Sequence, residues 1–265
     1  MRVDGRLYTG WLKRATRRLG LHTHLKSVYW GLGVPRLLHR LSRRERITHD
    51  VAGVAVTVPV EREWQYARFR WMHPELPLFE RLVEELRDGD VFYDVGAHLG
   101  WHTVVAASAA DVSVVAFEPH PTVADRLETV AAATGHDVDV RRVALSEESG
   151  TAPFTAAPSP AASLGGSSDA DGAAETITVE VADGDGLVEA GTLAPPDVLK
   201  IDAEGADAAV LGGLSETIER HPPRVIYCEV HRDGAEIRAL LSELGYETER
   251  LPAARPVLRA VPDGG

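Results

Sequence analysis

Four carboxylates in this chain each close, or sit within, a short apolar run: Asp94 in Val91–Val95, Glu118 after Val112–Phe117, Asp202 after Val198–Ile201, and Glu229 after Val225–Cys228. Runs of this length bounded by turn residues read as buried strands. Asp94 is followed by Gly96 and Gly100, the second and sixth places after it, so the strand enters a tight turn and then a helix. Gly96 lets the backbone turn with no Cβ in the way, and Gly100 lets a ligand lie against the helix start. The turn lacks GxGxxG, so a nucleotide pyrophosphate is not its natural tenant. Asp-x-Gly-x-x-x-Gly suits a smaller cationic ligand. Asp94 can hold an ammonium directly or through water, and Gly96, Ala97, His98 and Gly100 can surround an amino-acid moiety. Glu118, about 20 positions past the first turn, is placed to accept both hydroxyls of a ribose.

A further acidic block, Lys200-Ile-Asp-Ala-Glu-Gly205, comes later in the chain. Together with Asp94-Val-Gly-Ala-His-Leu-Gly100, Phe117-Glu-Pro119, Val143-Ala-Leu-Ser146 and Pro223-Arg-Val-Ile-Tyr-Cys-Glu229, it resembles the FkbM family of S-adenosylmethionine-dependent methyltransferases. The resemblance runs from Asp88 to Leu244, and Lys-x-Asp-x-Glu-Gly is its most family-specific block. It implies an α/β, Rossmann-like class I methyltransferase fold. That fold is a mostly parallel, doubly wound, seven-stranded sheet in the order 3-2-1-4-5-7-6, with helices on both faces and the last strand reversed. It also implies S-adenosyl-L-methionine as cofactor. Asp94 and the Gly96–Gly100 turn would hold its amino-acid end, Glu118 its ribose, and Val143 and Ala144 would border its adenine. The family usually carries Asn where His98 stands and an aromatic where His102 stands, so acceptor chemistry is expected to differ locally.

In open α/β sheets the ligand crevice lies beyond the carboxyl ends of the strands, where strand order switches. Carboxylates gathered on one such rim raise one another's pKa, and a sulfonium with an ammonium would relieve that. Methyl transfer from a sulfonium is an in-line displacement, so alignment supplies much of the rate. A hydroxyl acceptor must also lose a proton, which calls for a general base. Asp202, Glu204, Glu229 and His231, at or just past the ends of the fourth and fifth core strands, are the candidates, with His98 and His102 on the opposite wall. A uronic-acid carboxyl needs no base but does need an Arg or Lys nearby. Lys200 reads as a strand residue whose ammonium pairs with a neighbouring carboxylate, or as a group that orients the acceptor. Asp202, Glu229 and His231 have donors suited to a divalent cation, yet nothing in their spacing demands one, and no metal is expected. The expected activity is O-methylation of a hydroxyl, or a uronic-acid carboxyl, on a sugar, lipid-linked glycan or secondary metabolite. The alternative is a non-catalytic cofactor-binding or membrane-docking scaffold, which a failure to bind cofactor would mark.

Charge narrows the partners. The 265 residues carry a net charge of -12, and Lys13, Lys26 and Lys200 are the only lysines. Acid excess with scarce lysine suits a halophilic surface, where carboxylates keep their hydration in screened electrostatics. An ordinary acidic enzyme has a similar balance. Residues 1–50 hold 12 Lys and Arg against three acids, and the remainder hold 16 against 37. The basic extension either docks on something anionic, a membrane face foremost, or pairs with its own acidic body. Nucleic acid is not expected as a partner. The body is acidic, and Asp202-Ala-Glu-Gly205 stands where amino-methylating nucleic-acid enzymes carry an Asn-Pro-Pro-Tyr type of motif. Cys228 is the single cysteine and reads as a small core hydrophobe. With no secretory signal and no apolar run of spanning length, the expected location is cytoplasmic, with peripheral contact at the inner membrane face.

To position these groups, the chain divides into an extension over 1–50 and a methyltransferase domain over 51–265. Residues 7–46 read as two short helices broken at Gly20, Gly31, Gly33 and Pro35. Their Trp and Tyr lie beside Arg and Lys, as in an interfacial helix, or simply pack on the domain. Residues 51–60 alternate as a hairpin or an edge strand. Helices are expected over 74–86, 101–110, 122–133, 206–220 and 234–244. Core strands are expected at 91–95, 112–117, 138–145, 197–202 and 224–230, short ones at 152–155 and 176–181, and a final antiparallel pair at 246–250 and 257–261. Residues 156–174, nearly all Ala, Ser, Gly, Pro and Asp, bury too little to offset their ordering entropy and read as a flexible insertion.

Overall fold

The computed structural model describes residues 45–60, 75–156, 175–203, 205–230, 234–251 and 256–264, with Leu32, Leu37 and Leu41. The helices expected in the N-terminal extension and the insertion over 157–174 lie outside the described residues.

A hairpin of β1 (Arg46–Val51) and β2 (Val54–Pro59) comes first, followed by α1 (Leu76–Glu85). The chain then alternates through β3 (Val91–Val95), α2 (Trp101–Ala109), β4 (Ser113–Phe117), α3 (Pro121–Thr134) and β5 (Val138–Arg141). Next come β6 (Ala144–Ser146), β7 (Gly150–Ala156), β8 (Glu175–Asp183) and α4 (Gly184–Glu189). The last stretch holds β9 (Val198–Ile201), α5 (Asp207–Gly212), α6 (Ser215–Arg220), β10 (Val225–Glu229), α7 (Ala235–Glu243), β11 (Tyr246–Leu251) and β12 (Val257–Pro262).

The central sheet has seven strands in the order β5-β4-β3-β9-β10-β12-β11. Ranked along the chain, this is 3-2-1-4-5-7-6. β12 runs antiparallel to both β10 and β11, and the other pairings are parallel. The chain winds outward from β3 to β5 and returns at β9 beside β3, so strand order switches between β3 and β9. That is where such sheets open a ligand crevice.

Strand alternation divides the core into two faces. Phe92, Val198, Val225 and Tyr227 point to the side that holds α1, α2 and the hairpin. Tyr93, Leu199, Ile201, Ile226 and Cys228 point to the other, against Val210, Leu214 and Leu241 of the later helical segments. Helix α2 is buried at every residue from Trp101 to Ala107. A helix apolar all round must be covered on both sides, and here the sheet covers one side and β2 the other. Strand β1 begins at Arg46 with Ile47 buried in this core. The hairpin therefore crosses residue 50, where the sequence suggested the extension would end.

Three local readings change. The apolar run 138–145 forms two strands, not one. β5 pairs with β4, whereas Ala144–Ser146 crosses to pair parallel with β8 in a separate three-stranded sheet, β6-β8-β7. The stretch 206–220 is broken into α5 and α6 around Gly213. A Cβ there would fall 1.9 Å from the Ser146 carbonyl oxygen, so this glycine brings the helix end hard against β6. Helix α4 was not anticipated. Asp183 caps it, accepting from the N–H groups of Asp185 and Gly186 at 3.1 and 3.0 Å.

Candidate active site

The turn after β3 is held from every side. The N–H groups of Gly96 and Ala97 both donate to the Phe117 carbonyl, at 3.1 and 3.0 Å. The Val95 carbonyl accepts from the Asp202 N–H at 3.0 Å, across the switch point. Gly96 sits at φ +72°, and a Cβ there would fall 1.9 Å from the Asp202 carbonyl oxygen. Close approach of two strand ends, as well as the turn itself, therefore demands glycine here. Gly100 has φ +78°, and its Cβ would meet the Leu127 side chain at 2.5 Å. The space beside it is filled by α3, not left open for a ligand. His98 also has positive φ, +51°, a conformation that Asn and His adopt more readily than most residues.

Asp94 lies fully buried beneath this turn. The Thr103 hydroxyl donates to its Oδ2 at 2.6 Å, and the Lys200 ammonium lies 2.9 Å from its Oδ1. Burial pushes the carboxyl up, but Lys200 and the Thr103 hydroxyl outweigh it and hold Asp94 below its ordinary value. Lys200 also donates to the Val95 and Gly96 carbonyls, at 3.2 and 3.1 Å. Burial opposes its charge, yet Asp94 and Asp202 raise its pKa above the usual lysine value. The ammonium thus meets three groups of its own chain, two carbonyls by hydrogen bonds and Asp94 as an ion pair, which is the pairing role. The four-carboxylate rim contains its own cation, and in this arrangement Asp94 faces Lys200 and Thr103 instead of the open crevice.

Glu118 is buried at the end of β4 and has no ion-paired cation among the described residues. Its Oε2 accepts from the His98 N–H at 2.9 Å and its Oε1 from the His120 N–H at 2.8 Å, so one carboxyl ties the loops after β3 and β4 together. Burial pushes its pKa up to about 7 against the pull of those two N–H groups. Each oxygen keeps a lone pair for a further donor. On the same loop, the His120 Nδ1 is buried with no hydrogen-bond partner among the described residues, its ring edge-on to Phe154.

The remaining candidates gather only in part: β9 and β10 pair side by side up to Ile201 and Cys228, which puts Asp202 and Glu229 at adjacent strand ends. Asp202 and Glu229 stand at the ends of β9 and β10, the first half-buried and the second buried, and both have partners. Glu204 and His231 lie outside the described residues. His102 is buried, its ring edge-on to Phe79 and its Nε2 3.5 Å from Glu75 Oε2. Burial, then Lys200, lowers its pKa and favours the neutral imidazole. Val143 lines an open cavity of about 570 Å³ with Arg141, Arg142, Thr151, Glu180 and Leu187. Its described lining leaves out Asp94, Gly96 and Glu118, and Ala144 is engaged in the pairing of β6 with β8. Cys228 is buried on the second core face, its thiol pushed well up by that burial. No group of three or more His, Cys, Asp and Glu gathers as metal ligands among the described residues.

Two contributors escaped the sequence reading. Thr103 gives no signal, because only the fold shows which helix residue comes to lie against Asp94. His120 was legible in principle, as it directly follows Phe117-Glu-Pro119 and precedes the Pro121 that opens α3.

The reversed final strand, the switch between β3 and β9 and the acidic strand ends on either side of it define a class I methyltransferase fold. The profile of the methyltransferase FkbM domain matches residues 94–248, and the chain belongs to the FkbM methyltransferase family. The chain is 31% identical to the hexuronic acid methyltransferase AglP of Haloferax volcanii over 208 residues, covering 78% of this chain and 84% of that protein. Among solved structures, it superposes on the FkbM methyltransferase of Methylobacillus flagellatus with a TM-score of 0.50 and 14% identity, over 71% of this chain. It spans half the length of that structure.

Proposed function

We propose that this protein is an S-adenosylmethionine-dependent O-methyltransferase whose acceptor oxygen belongs to a hexuronic acid within a glycan. Glu118 carries the cofactor assignment. It is a buried carboxyl at the switch-point rim, fixed by two N–H groups, with capacity for two more donors. A ribose diol fits that need. The cofactor's amino-acid end would lie over the Gly96–Gly100 turn, which Asp94 supports from below. When bound, S-adenosylmethionine supplies an electrophilic methyl for in-line displacement. The chain's own task is to hold the acceptor oxygen in line and, for a hydroxyl, to take its proton. Asp202 and Glu229, at adjacent strand ends, are the described candidates for that transfer, with Glu204 and His231 beside them in the sequence. The acceptor assignment draws on the relation to AglP.

The enzyme is expected to work in the cytoplasm at a membrane face. The first 50 residues carry the chain's basic excess, and Leu32, Leu37 and Leu41 are exposed among them. That pairing of charge and apolar surface supports docking where a lipid-linked glycan is presented. Among the described residues, no helix is long and apolar enough to cross a membrane.

The test is calorimetric titration of S-adenosylmethionine into wild type and Glu118→Ala in concentrated salt, followed by turnover with glucuronic acid and a neutral hexose. Tenfold to hundredfold weaker binding in the variant, roughly 1.4 to 2.8 kcal/mol, with transfer to the uronic acid alone, is the expected result. Electrophoresis of the product separates the two oxygens, since a methyl ester loses the sugar's negative charge and a methyl ether keeps it. A folded wild type that binds no cofactor would move the reading to a scaffold.

A further inference from the structure

We propose that Lys200 is the positioning residue of the cofactor turn, tying the Val95 and Gly96 carbonyls to Asp94 from beneath and so setting cofactor affinity without touching the cofactor. This rests on the cofactor reading given above.

The peptide planes at the entry to the turn show why a cation is required there. The Val95–Gly96 peptide has its N–H on the Phe117 carbonyl, and its own carbonyl accepts from both Asp202 N–H and Lys200. The Gly96–Ala97 peptide has its N–H on the same Phe117 carbonyl and its carbonyl on Lys200. Both planes are fixed at each end, and in both Lys200 is one of the anchors. No neutral side chain of that length offers three donors. The register explains how Lys200 reaches them. It is paired with Asp94 on β3 and with Tyr227 on β10, so its side chain shares the sheet face with the carboxylate it meets.

Removing the ammonium would leave the Gly96 carbonyl without that donor and the Val95 carbonyl with the Asp202 N–H alone, and so loosen the turn. Ligand binding would then have to restore order, which lowers affinity without removing any ligand contact. A purely structural ion pair behaves differently. Replacing both partners of a buried pair with neutral groups of similar shape is often tolerated, and affinity would survive along with the fold.

The experiment compares wild type, Lys200→Met, the double variant Asp94→Asn/Lys200→Met, and Lys200→Arg. Each is scored for urea unfolding and for binding of S-adenosylmethionine by calorimetry. Lys200→Met alone leaves a buried carboxylate uncompensated and is expected to unfold readily. The double variant is expected to recover most of the unfolding midpoint yet bind the cofactor at least tenfold more weakly. Lys200→Arg keeps the charge against Asp94, but its planar fork cannot converge on both carbonyls, and its affinity is expected to fall severalfold. Arg224→Ala, at the amino ends of the strands, is the control for lost stability without lost affinity. A folded double variant that binds within twofold of wild type would overturn the proposal. If the double variant does not fold, wild-type affinity in Lys200→Arg overturns it instead. Failure of the wild type to bind sinks the cofactor reading, a result distinct from both.

Discussion

Asp94 and Glu118 close neighbouring strands and are buried almost equally, at 0% and 5% exposure, yet their carboxyls move in opposite directions. Burial pushes both upward. At Asp94, an ammonium 2.9 Å away, helped by the Thr103 hydroxyl, reverses the effect. At Glu118, two backbone N–H groups do not, and the carboxyl rests near 7. A direct cation, more than the number of hydrogen bonds, decides which buried acid stays charged. One rim thus holds two kinds of carboxylate. Asp94 is ionised and committed to the fold, whereas Glu118 still has a partner to gain.

The sharpest way to break this contrast is to remove the committed acid. Asp94→Ala leaves the Lys200 ammonium buried without its contacting carboxylate. A loss of about 3–5 kcal/mol is expected in urea unfolding. A loss below about 1 kcal/mol would mean that the ion pair contributes little. Thr103→Val keeps the shape but removes the hydroxyl that donates to Asp94. Hydrogen bonds to charged groups contribute about 1.5–3 kcal/mol, so the variant should lose an amount in that range while cofactor affinity stays within about twofold.

The sheet was legible in the sequence because its strands are short apolar runs that alternate with helices, and the family resemblance supplied their order. The local errors share one cause. Period and hydropathy do not record which sheet a strand joins, so 138–145 read as continuous although the chain changes partner at Arg142–Val143. A glycine inside a helical pattern likewise does not announce that Ser146 will press against it. At the site, the acids were visible because each ends a strand. Lys200 was legible as a pairing cation but not as the partner of Asp94, which lies far from it in the sequence, and Thr103 was not legible at all. A carboxylate counted without its cation looks like a demand for a ligand. Lys200 already meets much of that demand.

Glu118 should announce itself through pH. A carboxyl with a folded pKa near 7, above its ordinary 4.5, binds protons more tightly in the folded chain. Its contribution to stability is therefore present in full below about 4.5 and is lost as pH rises through about 7. Ligand-free wild type should accordingly lose stability over that window relative to Glu118→Gln, measured as unfolding midpoints at a series of pH values. Cofactor affinity should run the other way, because ribose hydroxyls donate best to the ionised carboxylate. Wild-type binding is expected to weaken as pH falls through about 7. Glu118→Gln should bind about tenfold more weakly at pH 8, roughly 1.4 kcal/mol, with little pH dependence. Parallel pH curves for the two proteins would show that Glu118 does not titrate there.

The smallest effect separates backbone from side chain in the support of Glu118. His98 donates its backbone N–H to Oε2 from a residue at φ +51°, and Asn is at ease in that region. His98→Asn keeps both the conformation and the donor. Stability should change by no more than about 0.5 kcal/mol, and the pH midpoint of cofactor binding should not move. His98→Val keeps the N–H too, but a β-branched residue resists positive φ, at a cost of about 1–2 kcal/mol. Its turn should relax away from Oε2. With one N–H less to favour the charged form, the Glu118 midpoint should shift upward in His98→Val and hold in His98→Asn. A midpoint that moves equally in both variants would instead assign the effect to the lost imidazole.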